Sequence, residues 1–179
     1  MISDDTINET MSYEERLGKI GSMIAHEFGH AIDANGCYFD ENGISKSWWT
    51  SSDFTKFSQR VNKVKNYFNG MDVVDDVKIN GDLIKSEAMA DLTSMMCCLE
   101  LLKNKEDVNY KTFFESYAKM YKQVANQEYE KYLAMVDSHL PSSFRVNHII
   151  NQFEEFYTTY GIKEGDKMYI EPEDRINIF

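Results

Sequence analysis

The sequence has few prolines, no long apolar run and no basic excess, and each shortage excludes a class of protein. Only two prolines, Pro141 and Pro172, occur in 179 residues, so long stretches are free to be helical. No apolar run reaches the roughly 20 residues of a membrane-spanning helix, so no membrane segment is expected in this chain. The net charge of −11 argues against the clustered Lys and Arg of a nucleic-acid surface, so we expect no nucleic-acid partner.

Cysteine is also scarce, and its spacing argues against disulfide bonds and against a metal site built from cysteines. The three cysteines form no C-x-x-C pair, and an odd count with two adjacent members is a poor disulfide framework. Cys97 and Cys98 lie in an apolar helical run and are expected to be buried thiols. The first 15 residues are polar and acidic, unlike a secretory signal. The compartment, cytoplasmic or extracytoplasmic, and the oligomeric state stay open.

Apolar periodicity predicts a mainly α-helical fold with little or no sheet. The predicted helices cover residues 13–35, from 47 or 52 to 69, 82–103, 110–136 and 143–160. In the first of them the apolar residues at spacings of three and four are Leu17, Ile20, Ile24, Phe28 and Ala31. Residues 71–81 are predicted to be a loop with a short extended piece. Residues 1–12 are interpreted as a flexible lead-in, and residues 13–179 as one domain.

The first helix contains an H-E-x-x-H motif, His26-Glu27-Phe28-Gly29-His30. Positions i and i+4 share a helix face, so both imidazoles can reach one metal ion, and Glu27 can reach a metal-bound water. The flanking residues are strongly apolar, so we expect the helix to be buried. Buried His and Glu side chains need partners, which a metal ion supplies. This context disfavours an ordinary amphipathic helix with two unrelated histidines.

A catalytic zinc ion takes three protein ligands, so the motif requires a third. Neither His139 nor His148 lies at the spacing of an extended H-E-x-x-H-x-x-G-x-x-H motif. Glu87 is the better candidate, with Asp91 one turn later on the same helix face. Such a carboxylate pair makes sense if Glu87 binds zinc and Asp91 accepts a hydrogen bond from the far nitrogen of a ligating histidine. The sequence therefore predicts one Zn²⁺ ion held by His26, His30 and Glu87.

Four motifs occur in an order that is typical of a known family. They are residues 20–33 around the metal motif, Asn35-Gly36 with Gly43 and Trp48-Trp49-Thr50, Glu87-Ala88-Met89-Ala90-Asp91, and Ser138-His139-Leu140-Pro141-Ser142-Ser143-Phe144-Arg145. Together they resemble the C-terminal catalytic part of the neprilysin and endothelin-converting enzyme family of zinc metallopeptidases. These are gluzincins, so the resemblance implies a thermolysin-like zincin fold for the helical catalytic subdomain. It also implies that His139 stabilises the oxyanion, that Arg145 holds a substrate carbonyl, and that Asp91 supports a ligating histidine.

The chain also departs from the family. Ala25, Ala34, Ala88 and Phe179 replace the usual Gly, Asp, Asn and Trp, but none of these changes removes a metal ligand. Family members are several times longer, and they carry an N-terminal capping domain and an edge strand that pairs with the substrate backbone. Neither feature is recognisable before Tyr13.

The predicted function is therefore a zinc-dependent endopeptidase or oligopeptidase that hydrolyses peptide bonds through a zinc-bound water activated by Glu27. One alternative is a non-catalytic or incomplete zinc-binding module that needs a missing segment or partner for activity. A second alternative is a purely structural helical domain without metal. The natural substrate stays open under all three hypotheses.

Overall fold

Eight α-helices and one two-stranded hairpin form the described part of the chain, residues 5–178 of a computed structural model. The helices are α1 (Tyr13–Arg16), α2 (Ser22–Gly29), α3 (Ser51–Phe68), α4 (Gly81–Lys103), α5 (Tyr110–Met120), α6 (Gln127–Val136), α7 (Ser142–Ile150) and α8 (Glu154–Tyr160). The prediction of a mainly α-helical fold with little sheet is confirmed. The predicted flexible lead-in over residues 1–12 lies partly outside the described residues.

The first predicted helix is continuous but changes its hydrogen-bonding pattern along its length. Ser12 and Glu15 form a capping box at its start, with Glu15 N donating to Ser12 Oγ over 3.1 Å. Between α1 and α2 lies a π-helical turn, Leu17–Gly21, and a 3₁₀ turn, His30–Ile32, follows α2. The helix ends before the predicted residue 35 because Asp33 is extended and its carboxylate accepts from backbone amides beyond it.

The predicted helix over residues 110–136 is wrong as one element, because α5 ends at Met120 and α6 begins at Gln127. Asn126 is extended, and its side chain accepts from Glu128 N over 2.9 Å. A short polar side chain that caps a new helix in this way competes with continuation of the old one.

The predicted helix over residues 143–160 also divides, into α7 and α8. The buried residues Asn151 and Gln152 lie at the break. The Tyr157 hydroxyl donates to the Asn151 carbonyl over 2.7 Å, and Gln152 Oε1 accepts from Ile176 N over 2.8 Å. These bonds satisfy polar groups that would otherwise be buried without partners.

A short antiparallel hairpin fills the predicted loop after α3. Its strands are β1 (Asp72–Val74) and β2 (Val77–Lys78), paired with Asp72 opposite Lys78. The turn between them includes Asp75 at a positive φ of 50°. The expected short extended piece is therefore present, and α6 packs beside it.

Helix α4 is the centre of the core, and α2, α3 and α7 pack against it. Asn80 caps it by accepting from Asp82 N over 3.0 Å. Its largest fully buried side chains are Ile84, Met89, Leu92, Met95, Leu99 and Leu102. Burial raises the pKa of Cys98 to about 12, whereas Cys97 is exposed, so the prediction of two buried thiols is wrong for Cys97. Among the helices of residues 5–178, none is both long and apolar enough to cross a membrane.

Gly29 allows α2 to approach α4 backbone to backbone. A Cβ atom at Gly29 would lie 3.0 Å from Ala90 Cα and 3.2 Å from Ala90 O. These contacts are tighter than ordinary van der Waals packing, and the atoms they involve belong to a helix backbone that cannot rotate away. The close approach therefore sets the spacing between the H-E-x-x-H helix and the helix that carries Glu87.

We expect Gly29→Ala to lower the free energy of unfolding by about 1–3 kcal/mol, the usual cost of overpacking a core. Thermal and denaturant unfolding of the metal-free protein would measure it. Phe28→Ala is the matched control, because the Phe28 side chain is 75% exposed and its loss should change stability by no more than about 0.5 kcal/mol. Equal stabilities for wild type and Gly29→Ala would show that the two helices can separate freely.

Candidate metal centre

Helix α2 faces α4 with its histidine and glycine rather than with its apolar side chains. His26 is 5% exposed and Gly29 is buried against Ala90. Ile24 and Phe28, by contrast, are 52% and 75% exposed. The expectation that this helix is buried is therefore wrong for the face that carries Ile24 and Phe28. The polar residues of the motif, not its hydrophobic ones, make the contact with the core.

His26 is held in place by residues from two other helices. Its Nδ1 lies 2.8 Å from Asp91 Oδ1, and Asp91 is only 1% exposed. Arg145 in turn donates to both Asp91 oxygens, with Nε 2.9 Å from Oδ2 and Nη2 2.5 Å from Oδ1. Burial lowers the pKa of His26, but the hydrogen bond and the negative charge of Asp91 outweigh it and leave that pKa raised. Asp91 therefore takes the hydrogen bond predicted for it.

His30 and His139 each have a carboxylate on Nδ1 as well. His30 Nδ1 lies 2.7 Å from Asp33 Oδ2, and His139 Nδ1 lies 2.8 Å from Asp137 Oδ1. Burial raises the pKa of Asp137, but hydrogen bonds from the backbone and side chain of His139 lower that pKa by more, so it lies below the ordinary value. In each pair the natural arrangement is an Nδ1–H that donates to the carboxylate, which leaves Nε2 on the opposite side of the ring.

The three Nε2 atoms converge on one oxygen of Glu87. Glu87 Oε2 lies 3.2 Å from His26 Nε2, 3.5 Å from His30 Nε2 and 3.2 Å from His139 Nε2. Although the nitrogens are close, this buried oxygen has no hydrogen-bond partner among the described residues. When these imidazoles are neutral and donate from Nδ1, their Nε2 lone pairs point toward the Glu87 carboxylate with no proton between them.

This cluster of electron pairs fits a divalent cation. One ligand atom from each of His26, His30 and Glu87 lies within 4.8 Å of the other two. Two imidazole nitrogens and one carboxylate oxygen form a donor set that catalytic zinc uses, with a fourth position left for water. A cation at this point would satisfy the orphaned Glu87 oxygen and both lone pairs.

Glu27 lies beside the cluster and faces solvent. It is exposed, and it lines a cavity of about 450 Å³ together with Met23, His26, Met120, Tyr121, His139 and Arg145. The Arg145 guanidinium lies 4.6 Å from the centre of the Tyr121 ring, a cation–π contact. The cavity therefore joins a carboxylate, two cationic or polar groups and an apolar wall at the mouth of the candidate metal site.

The structure brings together all seven residues that were singled out in the sequence. His26, His30 and Glu87 converge, Asp91 and Arg145 support His26, and Glu27 and His139 flank the cluster. Sequence reasoning missed Asp33 and Asp137. Each lies within three positions of a histidine already singled out, and that spacing was the available signal.

The helical fold and the H-E-x-x-H helix facing a glutamate of a second helix place the chain in the zincin class of metallopeptidases. Comparison with known proteins narrows this class. The model of "Peptidase family M13" matches residues 1–176, so the chain belongs to that family, the neprilysin family. The predicted resemblance is thereby confirmed.

The relatives are much longer than this chain. It is 37% identical over 168 residues to a neutral endopeptidase of Lactococcus lactis subsp. cremoris, covering 94% of this chain and 27% of the relative. It superimposes on the crystal structure of PepO from Lactobacillus rhamnosis with a TM-score of 0.93 and 34% identity, over 98% of this chain and 28% of the other. The zinc metalloprotease Zmp1 of Mycobacterium tuberculosis, at 23% identity and a TM-score of 0.86 over 97% of this chain and 29% of that one, shares the fold. The chain thus spans about a quarter of the length of these relatives.

Proposed function

We propose that this chain is the zinc-binding catalytic region of an M13 endopeptidase or oligopeptidase. The observation that carries the proposal is the convergence of two imidazole nitrogens on the orphaned carboxylate oxygen of Glu87. His26, His30 and Glu87 would hold one zinc ion. When bound, zinc supplies a Lewis acid that makes a water molecule more acidic at neutral pH and polarises a peptide carbonyl.

Glu27 is suited to the proton transfers of peptide hydrolysis. It follows His26 directly and is rotated from it by about 100° around the helix, so it lies in the cavity rather than against α4. In this role its carboxylate takes a proton from the attacking water and passes it to the leaving amine. A single carboxylate can do both, because the proton it gains in the first step is the one it gives up in the second.

His139 and Arg145 would stabilise negative charge on the substrate. A histidine that donates to an oxyanion needs a proton on Nε2, so His139 would act as an imidazolium with Asp137 as its counterion. Arg145 already donates to both oxygens of Asp91, which leaves its remaining N–H groups for a substrate carbonyl in the cavity that it lines. Both groups are donors fixed in advance by carboxylates, the arrangement that lowers the cost of reorganisation during reaction.

The cavity supports an apolar preference at the residue next to the scissile bond. Met23 is 42% exposed and lines the cavity with Met120 and Tyr121. Two flexible thioethers and an aromatic ring form an adaptable apolar wall beside polar catalytic groups. We infer that substrates are peptides with a hydrophobic residue at this position.

An incomplete zinc-binding module is the second candidate, and two observations favour it. The chain spans about a quarter of the length of its relatives. The side chains of Ile24 and Phe28, which neighbour Glu27 on the helix, are 52% and 75% exposed, and such exposed apolar groups can be covered by a further segment or partner. Under this hypothesis the chain binds zinc but needs a further segment or partner to form a working substrate cleft.

Metal content and peptide turnover of the purified chain distinguish these candidates. We expect one zinc per chain, and cleavage of a mixed peptide pool before or after hydrophobic residues. With free zinc at about 100 times Kd, binding should stabilise the fold by about 2.7 kcal/mol, and a chelator should remove this gain from the thermal transition. Zinc without turnover on any peptide would support the incomplete module. A chain that binds no zinc and whose stability is insensitive to chelator would refute both.

A further inference from the structure

Asp33 divides its two carboxylate oxygens between a histidine and the backbone. Its Oδ2 lies 2.7 Å from His30 Nδ1, while Oδ1 accepts from the backbone amides of Asn35 and Gly36, at 2.7 Å each. Asp33 is only 2% exposed, so water does not compete for these bonds. All three partners lie within three residues of it in the sequence.

The turn around Asp33 is closed so tightly that one of its residues must be glycine. A Cβ atom on Gly36 would lie 1.8 Å from the His30 carbonyl oxygen and 2.8 Å from the Ala31 carbonyl carbon. Asp33 itself is extended, with φ −79° and ψ −171°, and so ends the 3₁₀ turn that carries His30. Residues 30–36 thus form a self-contained loop that holds one carboxylate against one imidazole.

We propose that Asp33 is a positioning residue that holds His30 in the Nδ1–H tautomer and so presents its Nε2 lone pair to the metal. This inference rests on the proposed zinc site. The carboxylate has no proton to give, so His30 Nδ1 must carry the hydrogen of this bond, and Nε2 must then be unprotonated in the neutral ring. Outer partners of metal-binding histidines act in this way, and their loss usually weakens metal affinity about 10–100-fold.

His30 differs from His26 in where its support comes from. The carboxylate of His26 belongs to Asp91 on α4 and is held by Arg145 on α7, so it depends on the packing of three helices. The carboxylate of His30 is held by the loop that follows it. The orientation of His30 is therefore set locally, and a substitution at Asp33 can alter it without disturbing the helix packing.

Asp33→Asn changes the tautomer of His30 but keeps the hydrogen bonds of the turn. The asparagine Oδ1 can still accept from the Asn35 and Gly36 amides, but its Nδ2 donates to His30 Nδ1 where the carboxylate accepted. His30 must then carry its proton on Nε2, the atom that faces Glu87, and cannot ligate without losing it. Asp33→Ala removes both functions and leaves two backbone amides without a partner.

The test compares the wild type with Asp33→Asn, Asp33→Ala and the control Asp40→Asn. Zinc dissociation constants come from competition with a chelator of known affinity. Unfolding of the metal-free proteins shows whether the turn around Asp33 is intact. We expect Asp33→Asn to weaken zinc binding roughly 10–100-fold with an unchanged metal-free transition, and the Co²⁺-loaded protein to show an altered visible spectrum. Asp33→Ala should lower metal-free stability as well. Asp40→Asn makes the same chemical change on a turn where Oδ1 also accepts from two backbone amides, those of Asn42 and Ile44, but where no histidine is bound, and it should leave zinc affinity unchanged.

The wild type provides a readout that does not depend on any variant folding. In the metal-free protein, nitrogen chemical shifts of His30 should show the Nδ1–H tautomer. An Nε2–H tautomer, or an Asp33→Asn variant that binds zinc as tightly as wild type, would overturn the role of Asp33 and leave the zinc site standing. A wild type that binds no zinc would instead overturn the proposed function itself, and this inference with it.

Discussion

Replacing Glu27 with glutamine is expected to abolish measurable peptide hydrolysis while zinc binding stays intact. The amide has the shape of the carboxylate but cannot take up a proton at neutral pH, and a positioned general base contributes about 10²–10⁴-fold to the rate. Glu27 lies in the cavity and outside the group of His26, His30 and Glu87, so its loss removes no proposed ligand. The measurements are kcat/KM on a fluorescence-quenched peptide and zinc content per chain.

Glu41→Gln is the control for this experiment. Glu41 is also an exposed glutamate, on the turn between Asp40 and Gly43, so the same change of charge occurs away from the site. Its kcat/KM should equal that of wild type. A Glu27→Gln variant that still cut peptides at the wild-type rate would remove Glu27 from the proton transfer. A variant that lost zinc as well would show that Glu27 takes part in binding the metal.

The candidate metal site could be predicted largely from the sequence because its parts obey helical spacing. His26 and His30 are one turn apart, and so are Glu87 and Asp91, so each pair shares a face whatever the rest of the fold. The long-range step from one helix to the other followed from an acidic pair in an apolar helix and from the resemblance to a known family. The carboxylates of Asp33 and Asp137 were missed because both residues are extended and lie just past the end of a helical segment, where helical spacing no longer indicates which way a side chain points.

The exposed face of α2 could not be predicted because its buried stripe consists of small and polar residues. That stripe runs from Gly18 to Ser22, His26 and Gly29 at steps of four, four and three, so it obeys the helical period. A search for apolar residues at the same period instead selects Ile24 and Phe28, which are exposed. The Ser22 hydroxyl donates to the carbonyls of Gly18 and Lys19, at 3.0 and 2.8 Å, and so satisfies backbone groups of the π-helical turn before α2.

The choice of buried face matters for function. It places His26 and Gly29 at the contact with α4, where Asp91 Oδ1 lies 2.8 Å from His26 Nδ1. The helix thus leaves the apolar side chains of Ile24 and Phe28 exposed, while its candidate ligand His26 faces the core.

Two helices were predicted too long for a different reason. Residues 121–126 and 151–153 carry enough apolar residues to continue a helical pattern, yet Asn126 and Asn151 mark breaks. Asparagine side chains compete for backbone groups, and the outcome depends on tertiary partners such as the Tyr157 hydroxyl that donates to the Asn151 carbonyl. Local sequence cannot supply that partner. The break lies next to the site, because Tyr121, the residue after Met120, has its ring 4.6 Å from the guanidinium of Arg145.

Replacing Glu87 with glutamine is expected to weaken zinc binding more than any change to an outer partner, so by more than about 100-fold. The metal would lose the charged member of its donor set. In the metal-free protein, by contrast, the same substitution should leave the stability of the fold unchanged or raise it. The buried Oε2 of Glu87 has no hydrogen-bond partner, whereas a glutamine Nε2–H could donate to the lone pair of His26 Nε2 or His30 Nε2.

The metal-free Glu87→Gln protein should therefore unfold at a temperature equal to or above that of metal-free wild type, while the stabilisation by added zinc disappears. Glu100→Gln tests the same change on the same helix, where the side chain is 68% exposed, and should alter neither quantity. A structural glutamate would give the opposite pattern, with lower metal-free stability and an unchanged response to zinc. Since only a ligand makes the two quantities move in opposite directions, this pair of measurements distinguishes a metal centre from an acidic residue that the fold happens to bury.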